Sequence, residues 1–385
     1  FLVIIALIAL NVITRFGQRK ILEHSIAVLP FENDSQDQEN DYLIAGYRTS
    51  IVDMLSKIED QRVLPRVSTD QYMDNPIAPR EIAEELDVSY LILANGQKYG
   101  NQIVLTVQLV DTKEKLIWSH SYEKQIQSPQ DHIKIQSEIA QLVAKEVGAH
   151  VTPVEKQRIE KIPTTNNEAY NYYTRGREEV VINSGYYRMT DSRSKAKNLF
   201  HRSLELDSTF ALAYAGLGWV YMYENESEIK YLGAHVDSAL YYVQKALSYD
   251  DQLGDAYEIR GDYYRLAGNF DLSEADLKRA IDINPNSCFS YHTLGNLYIK
   301  YQDYILGLSN LHKAATLCTG EMLESILART GGLYAQVGFG DIAKSYFAQV
   351  RNLNGDSLEY YRRLAFVEWN NGNIREQLEY EIKAS

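Results

Sequence analysis

The chain has 385 residues, of which 45% are hydrophobic and 24% are charged, an ordinary composition for a globular protein. Its formal net charge of -13 argues against a nucleic-acid-binding surface in this stretch of sequence. The 2 cysteines exclude a cysteine-based metal cluster or a disulfide framework, and the length predicts two domains or one domain followed by a repeat array.

An apolar segment opens the chain and is followed by a short basic stretch. Phe1–Ile13 is apolar with a single exception, but it is shorter than the ~20 residues that a bilayer-spanning helix needs. Because the sequence does not begin with Met, we expect residues 1–20 to hold the end of a transmembrane helix and its basic flank. A buried helix or the core of a signal peptide is the alternative. The flank carries Arg15, Arg19 and Lys20, and read alone it favours a cytoplasmic location for the residues that follow.

Residues 25–150 alternate between strand-like and helical patterns of apolar side chains. Short apolar runs and period-two alternation indicate strands, whereas apolar positions three and four residues apart indicate helices. In chain order they predict strand 25–31, helix 41–58, strand 62–67, a helix from Pro79, strands 89–93, 103–109 and 116–122, and a helix over 135–147. This order predicts an α+β domain, a mixed sheet with packed helices. Trp118 and Tyr122 share a strand face with Leu116, and we expect both rings to be buried against the last helix.

Residues 151–166 predict a linker helix, and a helical repeat follows it. Gly254–Ser287 reads as two short amphipathic helices that carry large and small side chains where paired helices meet. Its pattern fits the 34-residue tetratricopeptide (TPR) repeat without a gap. Related copies occupy residues 167–208, 211–253, 288–321, 324–357 and 358–385. We therefore expect 167–385 to be an all-α TPR solenoid of about six repeats, truncated in the second helix of the last one.

Each copy carries small and large residues at fixed positions of its two helices. In the best copy Gly261 takes the small position of the first helix and Leu277 the large position of the second. Such a hairpin cannot bury its apolar face alone, so we expect small residues to let the helices approach and large ones to fill the gaps between repeats. The same positions in other copies hold Gly218, Gly295 and Gly331 in the first helix and Val243, Leu311 and Phe347 in the second.

The first helices of the repeats predict a binding surface for a protein or peptide. In a TPR hairpin the groove is lined by the second, fifth, ninth, twelfth and thirteenth positions of the first helix. These positions include Leu212, Trp219, Met222, Tyr223, Glu258, Asp262, Arg265, Phe289, His292, Asn296, Lys300, Arg362, Phe366 and Trp369. The alternative is that these side chains only pack or face water. Because Glu258 and Asp262 fill the positions of the lysine–asparagine clamp of chaperone-binding arrays, we expect no recognition of a free C-terminal carboxylate.

Catalytic, cofactor and metal motifs are missing from the sequence. It contains no HExxH, no Walker loop, no GxSxG and no GxGxxG after a strand, so we expect no enzymatic activity in this region. His120 has no catalytic partner in the sequence and is interpreted as a packed or half-exposed histidine. The acidic loop with Asp34, Asp37 and Glu39 lacks the ordered oxygen ligands of a calcium site and is interpreted as a solvated loop.

Cys288 and Cys318 lie at the first and thirty-first positions of one repeat. The two helices of a hairpin are antiparallel, so both residues come to the same end. A disulfide needs Cα atoms within roughly 7 Å, and packed helix axes are ~8–10 Å apart. We therefore favour two unpaired thiols, with a bridge as the alternative. A bridge would favour an oxidising compartment over the cytoplasm.

Several segments carry a resemblance to a known pair of domains. They are IAVLPF at Ile26–Phe31, Tyr42 and Gly46, REIAEELDVSYL at Arg80–Leu91, VQLVD at Val107–Asp111, Trp118, Tyr122, IQSEIA at Ile135–Ala140, EAYNYYTRGR at Glu168–Arg177 and FALAYAGLGWVY at Phe210–Tyr221. They resemble the amino-terminal-type domain of TolB followed by TPR repeats, as found in bacterial membrane signalling proteins. The sequence departs from the family at 93–95, where an acidic residue and a glycine are usual.

The resemblance implies a place for this region in a larger signalling protein. In such proteins a cytoplasmic output module precedes the membrane helix, either an AraC-type or winged-helix DNA-binding domain or a nucleotide cyclase. The sequence looks most like the AraC-type transcription regulators of Bacteroidetes-like bacteria. By that resemblance it is the periplasmic sensory part of a single-pass inner-membrane protein, in contact with DNA only through the upstream module. An envelope-assembly scaffold is the alternative, and a homodimer is left open.

Overall fold

The computed structural model of the protein describes residues 23–35, 40–73, 75–182, 190–223 and 234–385. The predicted end of a transmembrane helix at residues 1–20 lies outside the described residues. Among the helices that are described, none has both the length and the apolar character needed to cross a membrane.

A mixed sheet forms the first part of the structure, as predicted. Its strands are β1 (Ser25–Val28), β2 (Glu32–Asn33), β3 (Arg62–Val63), β4 (Tyr90–Tyr99), β5 (Gln102–Asp111) and β6 (Leu116–Gln125). The strand order is β3-β1-β4-β5-β6, and β2 pairs with β4. Strand β1 is parallel to both of its neighbours, whereas β4, β5 and β6 form an antiparallel meander.

Helices cover both faces of this sheet. They are α1 (Asp41–Ser56), α2 (Val67–Asp70), α3 (Pro79–Leu86) and α4 (Pro129–Glu146), and α5 (Pro153–Ile159) follows them. Apolar residues of α1 and α4 share one core cluster with the sheet, whereas α3 packs in a second cluster with residues such as Ala27 and Leu91. Because both faces are covered, all four residues of β1 are buried, and three of them are apolar.

Two predicted strand boundaries and one predicted strand face differ from the structure. The departure at 93–95 does not interrupt β4, which continues to Tyr99 opposite β5. Tyr122 is buried in the cluster that contains Ile139, as expected, but Trp118 is only half-buried and Leu116 is exposed. The cause is a register shift at the end of β5, which pairs Val110 with Leu116 and turns that side chain away from the Trp118 face. Strand β3 ends at residue 63, and the short helix α2 follows it.

Helical hairpins make up the rest of the described chain, and residues 167–385 contain no strand wherever they are described. The helices are α6 (Asn167–Ile182), α7 (Thr190–Leu206), α8 (Ala211–Met222), α9 (Ala234–Tyr249), α10 (Gly254–Leu266), α11 (Phe270–Ile283), α12 (Cys288–Lys300), α13 (Tyr304–Leu317), α14 (Gly320–Gln336), α15 (Gly340–Asn354), α16 (Ser357–Asn371) and α17 (Ile374–Lys383). They pair in sequence as TPR-like repeats.

The small residue of the first helix lies against the large residue of the second helix in the same hairpin, whereas the sequence predicted that the large residues fill gaps between repeats. A Cβ atom at Gly261 would lie 3.0 Å from Cγ of Leu277, and one at Gly331 would lie 2.7 Å from Cε1 of Phe347. These distances leave no room for a side chain, so the two helices of each hairpin approach through the glycine. The predicted approach of the helices through small residues is therefore confirmed at these positions.

The boundary between the two compact units of the chain does not lie where the sheet ends and the helical repeats begin. The chain divides into Phe1–Ser287 and Cys288–Ser385. In the first unit one hydrophobic cluster contains Ile26 of the sheet, Tyr47 of α1, Tyr173 of α6 and Phe210 before α8. The prediction that the α/β domain and the helical array are separate bodies is therefore wrong for the first three repeats. The reason is that aromatic residues of α6 complete the core of the α/β domain.

The two cysteines form a disulfide, which corrects the favoured prediction of unpaired thiols. The Cα atoms of Cys288 and Cys318 lie 5.6 Å apart. Cys318 has an extended backbone conformation just after α13, so the chain has already left the helix at this residue. The spacing of packed helix axes therefore does not limit the bridge, as the sequence argument had assumed.

We expect the disulfide to stabilise the second unit by about 3.5 kcal/mol, because it closes a loop with a sequence separation of 30 residues in the unfolded chain. Urea unfolding with and without reductant measures this difference. The double variant Cys288→Ser with Cys318→Ser is the control and should be insensitive to reductant. Two reactive thiols in the unfolded, unreduced protein would contradict the bridge.

Candidate protein-binding site

A concave pocket of ≈ 320 Å³ lies on the second unit between the first helices of two consecutive repeats. Helix α14 contributes positions five and nine of its repeat, and α16 contributes positions two, five and nine. These are groove positions of the TPR pattern. The lining residues are Ala328, Gly332, Phe347, Glu359, Arg362, Arg363 and Phe366.

The pocket combines aromatic walls with a positively charged rim. Glu359 lies 3.1 Å from Nε of Arg363 and 3.7 Å from Nη1 of Arg362. The Arg363 guanidinium also lies 5.7 Å from the ring centroid of Phe347, where a cation is attracted by the aromatic face. Two guanidinium groups share one carboxylate, so the rim carries a net positive charge in a protein whose overall charge is negative.

Arg362, Phe366 and Trp369 are brought together on α16, as the groove positions predict. The rings of Phe366 and Trp369 are 6.1 Å apart, and Trp369 is 62% exposed. The side chain of Arg362 is 66% exposed. An exposed tryptophan beside an exposed arginine is the composition that binding hot spots favour.

The predicted residues of α12 form a polar chain with the next repeat. Nε2 of His292 is 2.9 Å from Nδ2 of Asn296, and Nε of Arg329 donates to Oδ1 of Asn296 over 3.1 Å. Phe289 is half-buried and Lys300 is exposed. These groove positions are accessible, but part of their hydrogen-bonding capacity is already used within the protein.

The predicted groove residues on α8 in the first unit pack within the protein. Leu212 and Trp219 pack against the main core cluster, and the rings of Trp219 and Tyr223 are 5.1 Å apart. Met222 is 1% exposed and belongs to the core, which corrects its assignment to a partner surface. Its position turns inward because the hairpin α8–α9 packs around it.

Glu258, Asp262 and Arg265 lie on α10 and are also engaged within the protein. The Ser287 hydroxyl donates to Glu258. Asp262 is only 4% exposed and accepts a hydrogen bond from Nε of Arg265 over 2.7 Å. Burial raises the pKa of Asp262, which Arg265 opposes. These residues do not present an open charged surface.

A buried polar network joins α1 to the first repeat and was missed in the sequence. Glu178, at the twelfth position of α6, is 2% exposed. Its carboxylate accepts a hydrogen bond from Oγ1 of Thr49 over 2.8 Å and pairs with Nη1 of Arg66 at 2.5 Å. Arg177 forms a further ion pair with Asp53. The groove positions of the first repeat therefore bind the protein's own α/β domain.

Asn286 makes a second connection between the α/β domain and the repeats of the first unit. Its side chain donates to the carbonyl oxygens of Ser56 and Ile58, each over 3.1 Å, and accepts from the backbone N–H of Val63 over 3.0 Å. These three hydrogen bonds cannot be predicted from the sequence, since no local pattern marks a contact between residues this far apart. The signal available for Glu178 was its position in the repeat.

Comparison with known families gives a partial match. Residues 22–142 match a family described as HilA/YgeH-like transcriptional regulator, second domain. This span contains the sheet and helices α1 to α3 and most of α4. The α/β region is thus similar to a domain of transcription regulators, whereas its resemblance to TolB and to AraC-type proteins stays a prediction.

Curated relatives match about half of this chain. A Rhizobium meliloti protein named "Putative adenylate cyclase 3" is 29% identical over 194 residues, which cover 50% of this chain and 32% of that protein. The anaphase-promoting complex subunit CDC16 of Saccharomyces cerevisiae is 22% identical over 204 residues, 52% of this chain and 23% of that protein. The chain thus spans a third or less of the length of these relatives.

Several solved structures resemble about half of this chain. PilW, described as a type IV pilus biogenesis factor, has a TM-score of 0.45 at 15% identity and covers 57% of this chain and 93% of its own. YrrB, described as a TPR protein with an unusual peptide-binding site, has a TM-score of 0.40 at 22% identity, with coverages of 48% and 90%. At these scores the similarity supports no inference about function.

Proposed function

We propose that this chain is the sensory, protein-binding region of a membrane-anchored bacterial transcription regulator. The observation that carries the proposal is the match of residues 22–142 to a domain of transcription regulators, followed by repeats with an open groove in the second unit. The region binds a protein or peptide through the repeats and performs no chemistry itself. DNA is contacted by a module that precedes the apolar segment Phe1–Ile13.

The α/β domain is proposed to relay binding toward the membrane. The first repeat is joined to α1 through the buried Glu178 network, so a change in the repeats acts directly on the α/β domain. The apolar segment followed by Arg15, Arg19 and Lys20 supports the membrane anchor. The disulfide between Cys288 and Cys318 supports a periplasmic location, since disulfides persist in oxidising compartments.

A nucleotide cyclase is the second candidate for the output module. The similarity over 194 residues to a protein named as an adenylate cyclase favours it. This region would then regulate cyclic AMP synthesis rather than transcription. The binding role of the repeats is the same in both proposals.

Measurements in cells that express the full-length protein separate the outputs. Deleting the gene, or replacing Phe366 and Trp369 by alanine in the full-length protein, should change the same set of transcripts without changing cyclic AMP. Both side chains lie at groove positions, and we expect the fold to be kept because Trp369 is 62% exposed. A fall in cyclic AMP would favour the cyclase, and unchanged transcripts and cyclic AMP would favour an envelope scaffold.

A further inference from the structure

We infer that the pocket between α14 and α16 binds a peptide segment that carries a bulky apolar side chain next to a carboxylate. The inference rests on the proposed protein-binding function and specifies the chemistry of the partner. The apolar side chain lies against Phe366 over Gly332, and the carboxylate pairs with Arg362.

Gly332 indicates that the pocket between α14 and α16 accommodates a bound molecule. It lies inside α14, where glycine is less favourable than alanine by about 1 kcal/mol. Nothing in the protein lies within 4 Å of a Cβ atom built on it, so no internal contact requires glycine here. Its neighbour Gly331 differs, because Phe347 occupies the space that a Cβ would need. A helix glycine that faces an open pocket lets a bound molecule approach the backbone closely.

The pocket has the size and walls of an anchor site. Its volume of ≈ 320 Å³ is at the lower end of the roughly 300–1,000 Å³ typical of ligand pockets. It therefore suits a large side chain of a longer segment. Phe366 provides an aromatic wall, whereas Phe347 is 2% exposed and contributes little surface. Trp369 extends the apolar surface along α16. A single anchored side chain in such a pocket supplies much of the affinity of a protein interface.

Charge complementarity predicts an acidic residue next to the bulky apolar side chain of the partner. Glu359 is shared by Arg362 and Arg363, and the distance of 3.7 Å to Arg362 is longer than a hydrogen bond. Arg362 can therefore turn its guanidinium toward a carboxylate of the partner and form a bidentate pair. A lysine or arginine of a partner would instead meet the excess positive charge, so basic segments are disfavoured.

Selection of a random peptide library on the immobilised 385-residue chain tests the inference. Enriched peptides should carry Leu, Phe or Trp beside Asp or Glu. A selected peptide is then synthesised and its affinity is measured by calorimetry. Gly332→Leu fills the pocket and should weaken binding more than tenfold, and Arg362→Glu reverses the rim charge and should also weaken it about tenfold or more.

Two controls separate binding from folding. Arg375→Glu reverses a charge of similar type on α17, where the side chain is 88% exposed, and should leave the affinity unchanged. The thermal melting of Gly332→Leu should match or exceed that of the natural protein, since a side chain there meets open space. Arg362→Glu changes an exposed side chain and tests the rim even if Gly332→Leu melts early.

The outcomes distinguish this inference from the proposed function. Enriched peptides that bind both variants as tightly as the natural protein would overturn the inference but leave peptide binding by the repeats intact. Enrichment of basic peptides, or of none, would also overturn it. The transcript measurement judges the proposed function separately, since it uses no selected peptide.

Discussion

Replacing Glu178 by alanine is expected to lower the free energy of unfolding by about 3–5 kcal/mol. The carboxylate is buried and pairs with Arg66, whose side chain is only 6% exposed. Without Glu178 the guanidinium would remain buried without its main counter-charge, and Thr49 would lose an acceptor. The loss is large because it leaves a charge unpaired, whereas the intact pair contributes little beyond its own desolvation cost.

Chemical denaturation followed by circular dichroism measures this change. Glu205→Ala is the matched control, because Glu205 pairs with Arg202 on the surface and should cost about 1 kcal/mol or less. Glu178→Gln keeps the shape and the acceptor for Thr49, so it should fall between the two. If Glu178→Ala lowered the free energy of unfolding by less than Glu205→Ala does, the buried network would not stabilise the packing of α6 against α1.

Replacing Phe200 by alanine is expected to cost about 3–5 kcal/mol, since it empties space in a packed core. Phe200 is 1% exposed and lies on α7 between the first helices of two repeats. A Cβ atom at Gly176 would lie 2.9 Å from this ring, and one at Gly216 would lie 2.5 Å from it. One side chain thus fills the gap left by two glycines.

Denaturation of the Phe200→Ala variant is compared with Leu206→Ala on the same helix. Leu206 is 39% exposed and should cost about 1 kcal/mol or less. Gly216→Ala in the natural protein should also destabilise, whereas in the Phe200→Ala background it should become nearly neutral because the clash is gone. Additive effects of the two changes would contradict the packing described for the ring.

Local patterns allowed much of the fold to be predicted. The hairpins follow from apolar positions at helical spacing and from small residues at fixed positions, and the structure confirms that the helices approach through Gly261 and Gly331. The strand face of Leu116 could not be predicted, since it depends on a register shift in a paired strand. The disulfide depended on where the chain leaves α13, which helix spacing alone does not specify.

The candidate site was predictable only in part, for a similar reason. Arg362 and Phe366 were identified because their positions in the repeat face the groove. Gly332 has the same kind of position, but its role depends on the empty space above it, which sequence does not reveal. The contacts of Glu178 join residues more than a hundred positions apart, so no local period could indicate that the first groove positions bind the α/β domain.

Asn286 has a consequence for the order in which the protein is made. Strand β3 is an edge of the sheet, and its outward N–H at Val63 donates to the side chain of Asn286, which lies 223 residues later in the chain. At ribosomal speeds of about 5–20 residues per second, roughly 10–45 s pass between the synthesis of β3 and the synthesis of Asn286. An uncovered edge is a template for pairing with another chain. The edge is only two residues long, and this shortness limits such pairing until the third repeat emerges.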